Sequence, residues 1–215
     1  MNQIVWLARH ANRLDFVNPD WFLTAQRRYD PPLSDDGVVQ THLLAKRLQT
    51  EKIAHIFASP FLRTVQTANA VAEILDLTIK LETGLSEWLN PHWMTAPPET
   101  VPIPALAELF PRIDTTYQPR IPAQYPETEA KVQQRSRQTV MCLTQEYYPQ
   151  NILLVGHSAS VLGAAIGLVG DIAKTEVKTY LCSLVKIVRQ DQEWLLELKG
   201  DTAHLTARQE VIDYA

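Results

Sequence analysis

Three short, nearly uninterrupted apolar runs constrain this chain more than any other feature: Ile4 to Ala8, Ile53 to Ala58 and Ile152 to Gly156. Runs this short, without strict two-residue alternation, suit strands covered on both faces. Between them the apolar spacing becomes helical. Ser34 reads as an N-cap before Asp35 and Asp36, carboxylates that suit the positive end of a helix dipole, and Val38, Thr41, Leu44, Ala45 and Leu48 form the inward stripe. Ser59-Pro60 predicts a second helix start, with a stripe of Thr64, Ala68, Val71, Ala72 and Leu75. Thr78 to Leu81 reads as a weaker strand. A helix over about 127–147 places Val132, Ser136, Val140, Leu143 and Tyr147 on one side, and another helix follows near 158–168. At the end, Ser183 to Arg189 and Trp194 to Leu198 flank a polar Gln190-Asp191-Gln192 turn, the pattern of an antiparallel hairpin. Parallel neighbours need crossovers, so alternating strands and helices predict an α/β fold, a three-layer α/β/α sandwich. Its central sheet is mostly parallel with an antiparallel edge.

Residues 84–126 break this rhythm. Nine of the 14 prolines fall there, which excludes a continuous helix or a central strand. Trp88, Trp93, Phe110 and Tyr117 in the same stretch favour order, and long ordered loops in compact domains are usually functional. The expected organisation is one domain over 1–215 with an insertion or lid at about 84–126. A net charge of -4 with 20% charged residues offers no one-signed field for nucleic acid or an acidic membrane, so anion affinity must be local. Two distant cysteines, Cys142 and Cys182, suggest reduced core thiols rather than disulfides, and no apolar run reaches membrane-span length. The chain reads as cytoplasmic.

Ligands of open α/β sheets bind beyond the carboxyl ends of the strands. The residues just past those ends agree with one another. Strand one delivers Arg9, His10 and Arg13; the turn after strand two carries Arg63; strand three precedes Glu87; strand four runs into His157. Arginine forks match phosphate oxygens in paired, charge-assisted hydrogen bonds, and a neutral imidazole is a competent nucleophile toward phosphorus. His10 is the expected nucleophile. His157 would donate to a non-bridging oxygen, and Glu87 would protonate the leaving alkoxide, a task that calls for a carboxyl pKa raised by a partly dry pocket. Trp21, Tyr29, Trp88, Trp93 and Tyr117 form either a satellite core or, for Trp21, Tyr29, Trp88 and Trp93, a substrate wall. No histidine pair falls at metal spacing, so no metal or other cofactor is expected.

Three segments, Leu7-Ala8-Arg9-His10, Ser59 to Ala68 (SPFLRTVQTA) and Val155-Gly156-His157-Ser158, resemble in that order the signature segments of the histidine phosphatase, or phosphoglycerate mutase-like, superfamily. Arg13 with Asp15 and Trp21, the run Tyr29 to Ser34, Glu87-Trp88 and Ile113 to Pro119 look closer to the suppressor of T-cell receptor signalling phosphatase domains. The resemblance covers nearly the whole chain. It implies His10 as phosphoacceptor, Arg9, Arg13, Arg63 and His157 as the phosphate pocket and Glu87 as proton donor, without a metal. Ala11 stands where a glycine normally follows the histidine, and Asn12 where an acidic residue is often found. A methyl group at 11 is expected to crowd the phosphate or restrict the backbone.

The expected substrate is a small-molecule or peptide phosphomonoester, with inorganic phosphate as product and neither nucleic acid nor membrane as partner; oligomeric state, including a homodimer, stays open. Two other readings share these residues, a phosphoglycerate mutase and a non-catalytic phospholigand-binding module.

Overall fold

In a computed structural model, the structure describes residues 2–205. Six strands form one sheet: β1 (Ile4–Arg9), β2 (His55–Ala58), β3 (Ile79–Leu81), β4 (Ile152–Gly156), β5 (Leu184–Gln190) and β6 (Glu193–Asp201). Their spatial order is β3-β2-β4-β1-β5-β6. The first four run parallel to one another, while β5 is antiparallel to β1 and β6 to β5. The helices are α1 (Trp21–Thr24), α2 (Asp35–Leu48), α3 (Leu62–Leu75), α4 (Ile103–Leu109), α5 (Glu129–Glu146), α6 (Ser158–Val169) and α7 (Ile172–Glu176). Among the described residues, no helix is long and apolar enough to cross a membrane.

The uninterrupted apolar runs have a simple cause: alternate residues of each strand feed two different cores. Trp6 and Ala8 of β1, Ile56 of β2 and Leu153 of β4 pack with Leu44 and Leu48 of α2, Val65 and Val71 of α3 and Leu106 of α4. Val5, Leu7, Phe57, Ile152 and Leu154 point the other way, onto Val140 and Leu143 of α5 and Val161 and Ile166 of α6. Both faces are therefore dry, and each fully buried Leu, Ile or Val contributes roughly 1.5–3 kcal/mol.

Several expectations shift locally. Ser34 does cap α2, its Oγ accepting from Gly37 N at 3.3 Å, but the inward stripe includes Gly37 and leaves Val38 40% exposed. The helix enters so close to the Asn12 carbonyl that only glycine fits at 37. Helix α3 starts at Leu62 with Phe61 as its N-cap, while Ser59 Oγ accepts from Phe61 N at 3.4 Å and lies 2.9 Å from His157 Nε2. Leu75 is only partly buried, at the end where Asp76 turns left-handed (φ 52°). Cys182 is a buried thiol, whereas Cys142 is half-buried rather than a core residue.

The proline-rich stretch divides in two. Its second half builds α4, where Pro102 is the N-cap and a proline occupies the first turn, and sends Ile113 to bridge Ile79 at the β3 edge. Its first half, 87–97, lies over the carboxyl ends of the strands and carries Glu87, Trp88, Trp93 and Met94 into the cavity there.

A Cβ at Gly37 would stand 2.1 Å from the Asn12 carbonyl oxygen. Gly37→Ala is expected to lose about 1–3 kcal/mol of stability, the usual cost of overpacking, seen as a lowered Tm; an unchanged Tm would contradict this close approach.

Candidate active site

Strands β1 and β4 are adjacent and parallel, with Arg9 in register with Gly156 and the His10 N–H donating to the Gly156 carbonyl at 3.0 Å. The next residues along each strand, His10 and His157, therefore emerge side by side, their ring centroids 5.2 Å apart at 63°. The helices that follow pack into opposite cores, α2 on one face and α6 on the other, so the backbone parts here and leaves a crevice. Both rings are fully buried.

The His10 tautomer is fixed by its backbone contact. The His10 Nδ1–H donates to the Ala11 carbonyl at 2.8 Å, which leaves the Nε2 lone pair without a hydrogen-bond partner. Burial lowers the His10 pKa well below its ordinary value, and Arg63, His157 and Arg9 push it further down against the opposing effect of the Ala11 bond, so the ring is neutral. His157 Nε2 lies 2.9 Å from Ser59 Oγ. With that hydroxyl donating, the His157 proton sits on Nδ1, which is 3.3 Å from Glu87 Oε2. Burial pulls the His157 pKa down to about 4 against the pull of Glu87.

Arg63, on the first turn of α3, is 1% exposed. Its Nη2 stands 3.3 Å from both Glu87 Oε2 and His157 Nδ1, its Nη1 donates to the Tyr29 carbonyl at 3.3 Å, and burial lowers its pKa to about 10. Arg9 is tied through Nη1 to the Thr179 carbonyl at 2.8 Å. Among the described residues, Arg9 Nε, Arg63 Nε and His10 Nε2 are buried nitrogens of this crevice without a partner. Two N–H donors left unmatched in a buried site call for an acceptor-rich ligand, and the lone pair beside them calls for a donor or an electrophile. Arg13 reaches the same cavity, its guanidinium paired with Asp15 and stacked 4.2 Å from the Phe16 ring centre.

The raised Glu87 pKa expected from a dry pocket is not found. Burial does push this carboxyl up, but His157, Arg63 and His10 outweigh it and hold the group well below the usual carboxylate range. The site thus holds the acid as a carboxylate. Nor does Ala11 crowd the pocket. Its methyl is fully buried in the α2/α3 core, and the described non-glycine residues with positive φ are Lys52, Asp76, Cys182 and Asp191, so no strain falls on Ala11. Asn12 turns away as well, its amide donating to Asp36 Oδ2 at 2.9 Å.

The cavity measures about 510 Å³. Arg9, Arg13, Arg63 and Glu87 line it beside Tyr29, Trp88, Trp93 and Met94. Trp21 does not; its indole N–H donates to the Arg28 carbonyl at 2.9 Å, and the neighbouring Phe22 lines the cavity in its place. Tyr117 belongs to the core, stacked edge-on against Phe57. Two site residues escaped the sequence reading. Ser59 reads in the sequence as a cap, and Asp30 lies in a loop, where it accepts from Leu62 N at 2.7 Å and Val101 N at 3.0 Å, 3.9 Å from Arg63. Although no metal spacing exists in the sequence, the fold gathers donor atoms of His10, Glu87 and His157 within 4.8 Å of one another. The Arg63 guanidinium beside two of them already supplies the positive charge that a cation would bring, and the set suits an anion better.

A family model described as "Histidine phosphatase superfamily (branch 1)" matches residues 5–202. An ecdysteroid-phosphate phosphatase of Drosophila melanogaster is 26% identical over 91% of the chain, which spans about a third (32%) of that relative's length. A probable phosphoglycerate mutase of Yersinia pestis is 30% identical over 94% of each chain. In fold, the chain is similar to a Bombix mori ecdysone phosphate phosphatase in complex with tungstate, at a TM-score of 0.77, 20% identity and 94% coverage of each chain.

Both histidines have pKa values lowered by folding, so below about pH 6.5 the unfolded chain binds protons that the folded one refuses, and stability falls as pH drops. Glu87 adds to this at lower pH, since a lowered carboxyl pKa stabilises the fold above its unfolded value and loses that contribution as acid titrates it. The Tm is expected to fall between about pH 7 and about pH 5, and the slope to flatten in a His10→Asn/His157→Asn variant. Equal slopes in the two proteins would contradict the buried neutral pair.

Proposed function

The chain belongs to branch 1 of the histidine phosphatase superfamily, and from that premise we propose that it is a phosphomonoester phosphatase acting through a phosphohistidine on His10. The observation that carries this reading is the His10 Nε2 lone pair, buried, unpartnered and neutral, in a crevice whose other unmatched groups are guanidinium N–H donors. Arg9, Arg13 and Arg63 hold the phosphoryl oxygens, and the His157 Nδ1–H donates to one of them. As the P–O ester bond breaks, its electron pair stays on the leaving oxygen while His10 Nε2 forms the P–N bond. Glu87 gives its proton to that oxygen, then takes one from the water that attacks the phosphohistidine and releases inorganic phosphate.

A carboxylate at rest must acquire that proton. An incoming phosphate provides for this, because its oxygens take over the donors of Arg63 and His157 that hold the Glu87 pKa down, and its negative charge pushes the carboxyl up. A monoester that still carries its second proton, lost near pH 6, can deliver it directly. In either case the productive complex contains one proton shared between substrate and Glu87. We place no metal in the reaction, since the arginines supply the charge compensation.

Beyond the phosphate end, Phe22, Tyr29, Trp88, Trp93 and Met94 present rings and a thioether to the leaving group. Trp93 is 60% exposed and stacks 5.0 Å from Trp88, a wall rather than a core contact. This favours a bulky, apolar leaving group over a three-carbon acid, and hydrolysis over the mutase reaction. Ecdysteroid phosphate, named in the Drosophila relative, and ecdysone phosphate, named in the similar solved structure, belong in the substrate panel together with aryl phosphates, sugar phosphates and phosphopeptides.

His10→Ala is expected to reduce phosphate release to background across that panel, while Lys46→Ala, on an exposed position of α2, keeps full activity and a chelator changes nothing. Turnover by the His10 variant would remove the proposed nucleophile. Incubation with 3-phosphoglycerate and a trace of bisphosphate should yield phosphate rather than 2-phosphoglycerate. For an alkyl phosphate, kcat/KM is expected to rise as pH falls from about 8 toward about 5, following the shared proton; a profile that rises with pH would exclude this account of Glu87.

A further inference from the structure

We propose that Arg135 and Glu127 form a strap that positions Glu87 for proton transfer to the leaving group. The inference rests on the proposed role of Glu87 as proton donor, and it concerns two residues on the far side of the chain segment that carries it. Arg135 lies on α5, a helix that otherwise buries Val132, Ser136, Val140 and Leu143, and it is 5% exposed. A guanidinium has five N–H donors, and here all of them are used. The Nε–H and one Nη2–H clasp the two oxygens of Glu127 at 2.6 and 2.7 Å. The two Nη1 hydrogens reach the carbonyls of Gly84 at 2.9 Å and Ser86 at 3.1 Å, and the other Nη2–H reaches the carbonyl of Glu87 itself at 3.1 Å.

Glu127 completes the strap from the other end. Its Oε2 accepts from Leu89 N at 3.2 Å, its own N–H donates to the Leu89 carbonyl at 2.8 Å, and its carbonyl accepts the Trp88 indole N–H at 3.0 Å. One buried ion pair therefore grips the backbone on both sides of residue 87, at 84, 86, 87 and 89. The approach is close by construction, since a Cβ at Gly84 would stand 2.0 Å from Thr139 Oγ1, one turn beyond Arg135 on α5.

The Glu87 carboxylate itself receives less support. Its Oε1 accepts from Trp88 N at 3.0 Å, and its Oε2 lies between Arg63 and His157, the very donors that an incoming phosphate would claim. Once those are taken, the position of the acid depends on its main chain, and the main chain depends on Arg135. Lysine cannot substitute, because three donors on a single nitrogen do not span two carboxylate oxygens and three carbonyls. Arg135 and Glu127 touch no substrate in this scheme; they are positioning residues.

The test compares two substrates that differ in their need for an acid: an alkyl phosphate, whose alkoxide must be protonated, and p-nitrophenyl phosphate, whose phenolate leaves without a proton. The ratio of their kcat/KM values is independent of the folded fraction, so loss of stability in a variant does not enter it. Glu87→Gln sets the reference, with an expected loss of about 100-fold or more on the alkyl substrate and much less on the aryl one. Arg135→Lys and Glu127→Gln are each expected to shift the ratio in the same direction, by about 10-fold, and to add nothing in the Glu87→Gln background. A shift with Glu87→Gln but none with Arg135→Lys or Glu127→Gln overturns the strap and leaves the proton donor standing. A ratio unmoved by Glu87→Gln overturns the proton donor and the strap with it.

Discussion

The hydrogen bond from His10 N to the Gly156 carbonyl is the last rung of the β1–β4 ladder, and the chemistry begins one residue beyond it. Two parallel strands in register deliver two imidazoles to the same level, and a slip of one residue would turn one ring into a core. The dry cores on both faces make that slip prohibitive, because every residue of β1 from Val5 to Ala8 would exchange one apolar environment for another of different shape. Arg9, Arg63 and Glu87 are then arranged around a pair of rings whose separation is set by strand spacing.

Electrostatics in the crevice follow from burial. Guanidinium groups near two rings that shed their protons create a local positive field in a protein of net charge -4. Burial, reinforced by that field, keeps His10 neutral, and the field also keeps Glu87 ionised, which is the wrong state for an acid. In the proposed mechanism the phosphate resolves this conflict by bringing its own negative charge, so the group that needs a proton acquires one only when there is a substrate to receive it.

The layers of the fold were legible from the apolar runs, since a strand buried on both faces has no other signature of comparable strength. The cluster at the strand ends was legible because the strands are parallel and their carboxyl ends share one edge. Where the structure departs from the sequence pattern, tertiary contacts claim a residue for another purpose. Ser59 looks like a helix cap, and its hydroxyl serves His157. Val38 fits the helical period, yet the close approach to Asn12 puts Gly37 at the buried start of the stripe, while Thr41, Leu44, Ala45 and Leu48 are buried as the period predicts. Trp21 and Phe22 are neighbours, and Phe22 faces the cavity while the Trp21 indole donates to the Arg28 carbonyl. The sign of the Glu87 pKa shift could not be foreseen, because it is a balance between burial and three partners at distances known only from the fold. Arg135 did leave a trace, a charged residue adjoining the inward stripe of α5, and such a residue is a natural place to look for a buried pair.

The bond between the His10 ring and the Ala11 carbonyl has a further consequence. An oxygen of the peptide backbone belongs to no particular side chain, and so exchange of the amino acid at 11 leaves it in place. The orientation of the reactive nitrogen is thus inherited from the path of the chain, shielded from genetic drift and invisible to alanine scanning. Relatives that differ at this position can preserve the same reactive atom.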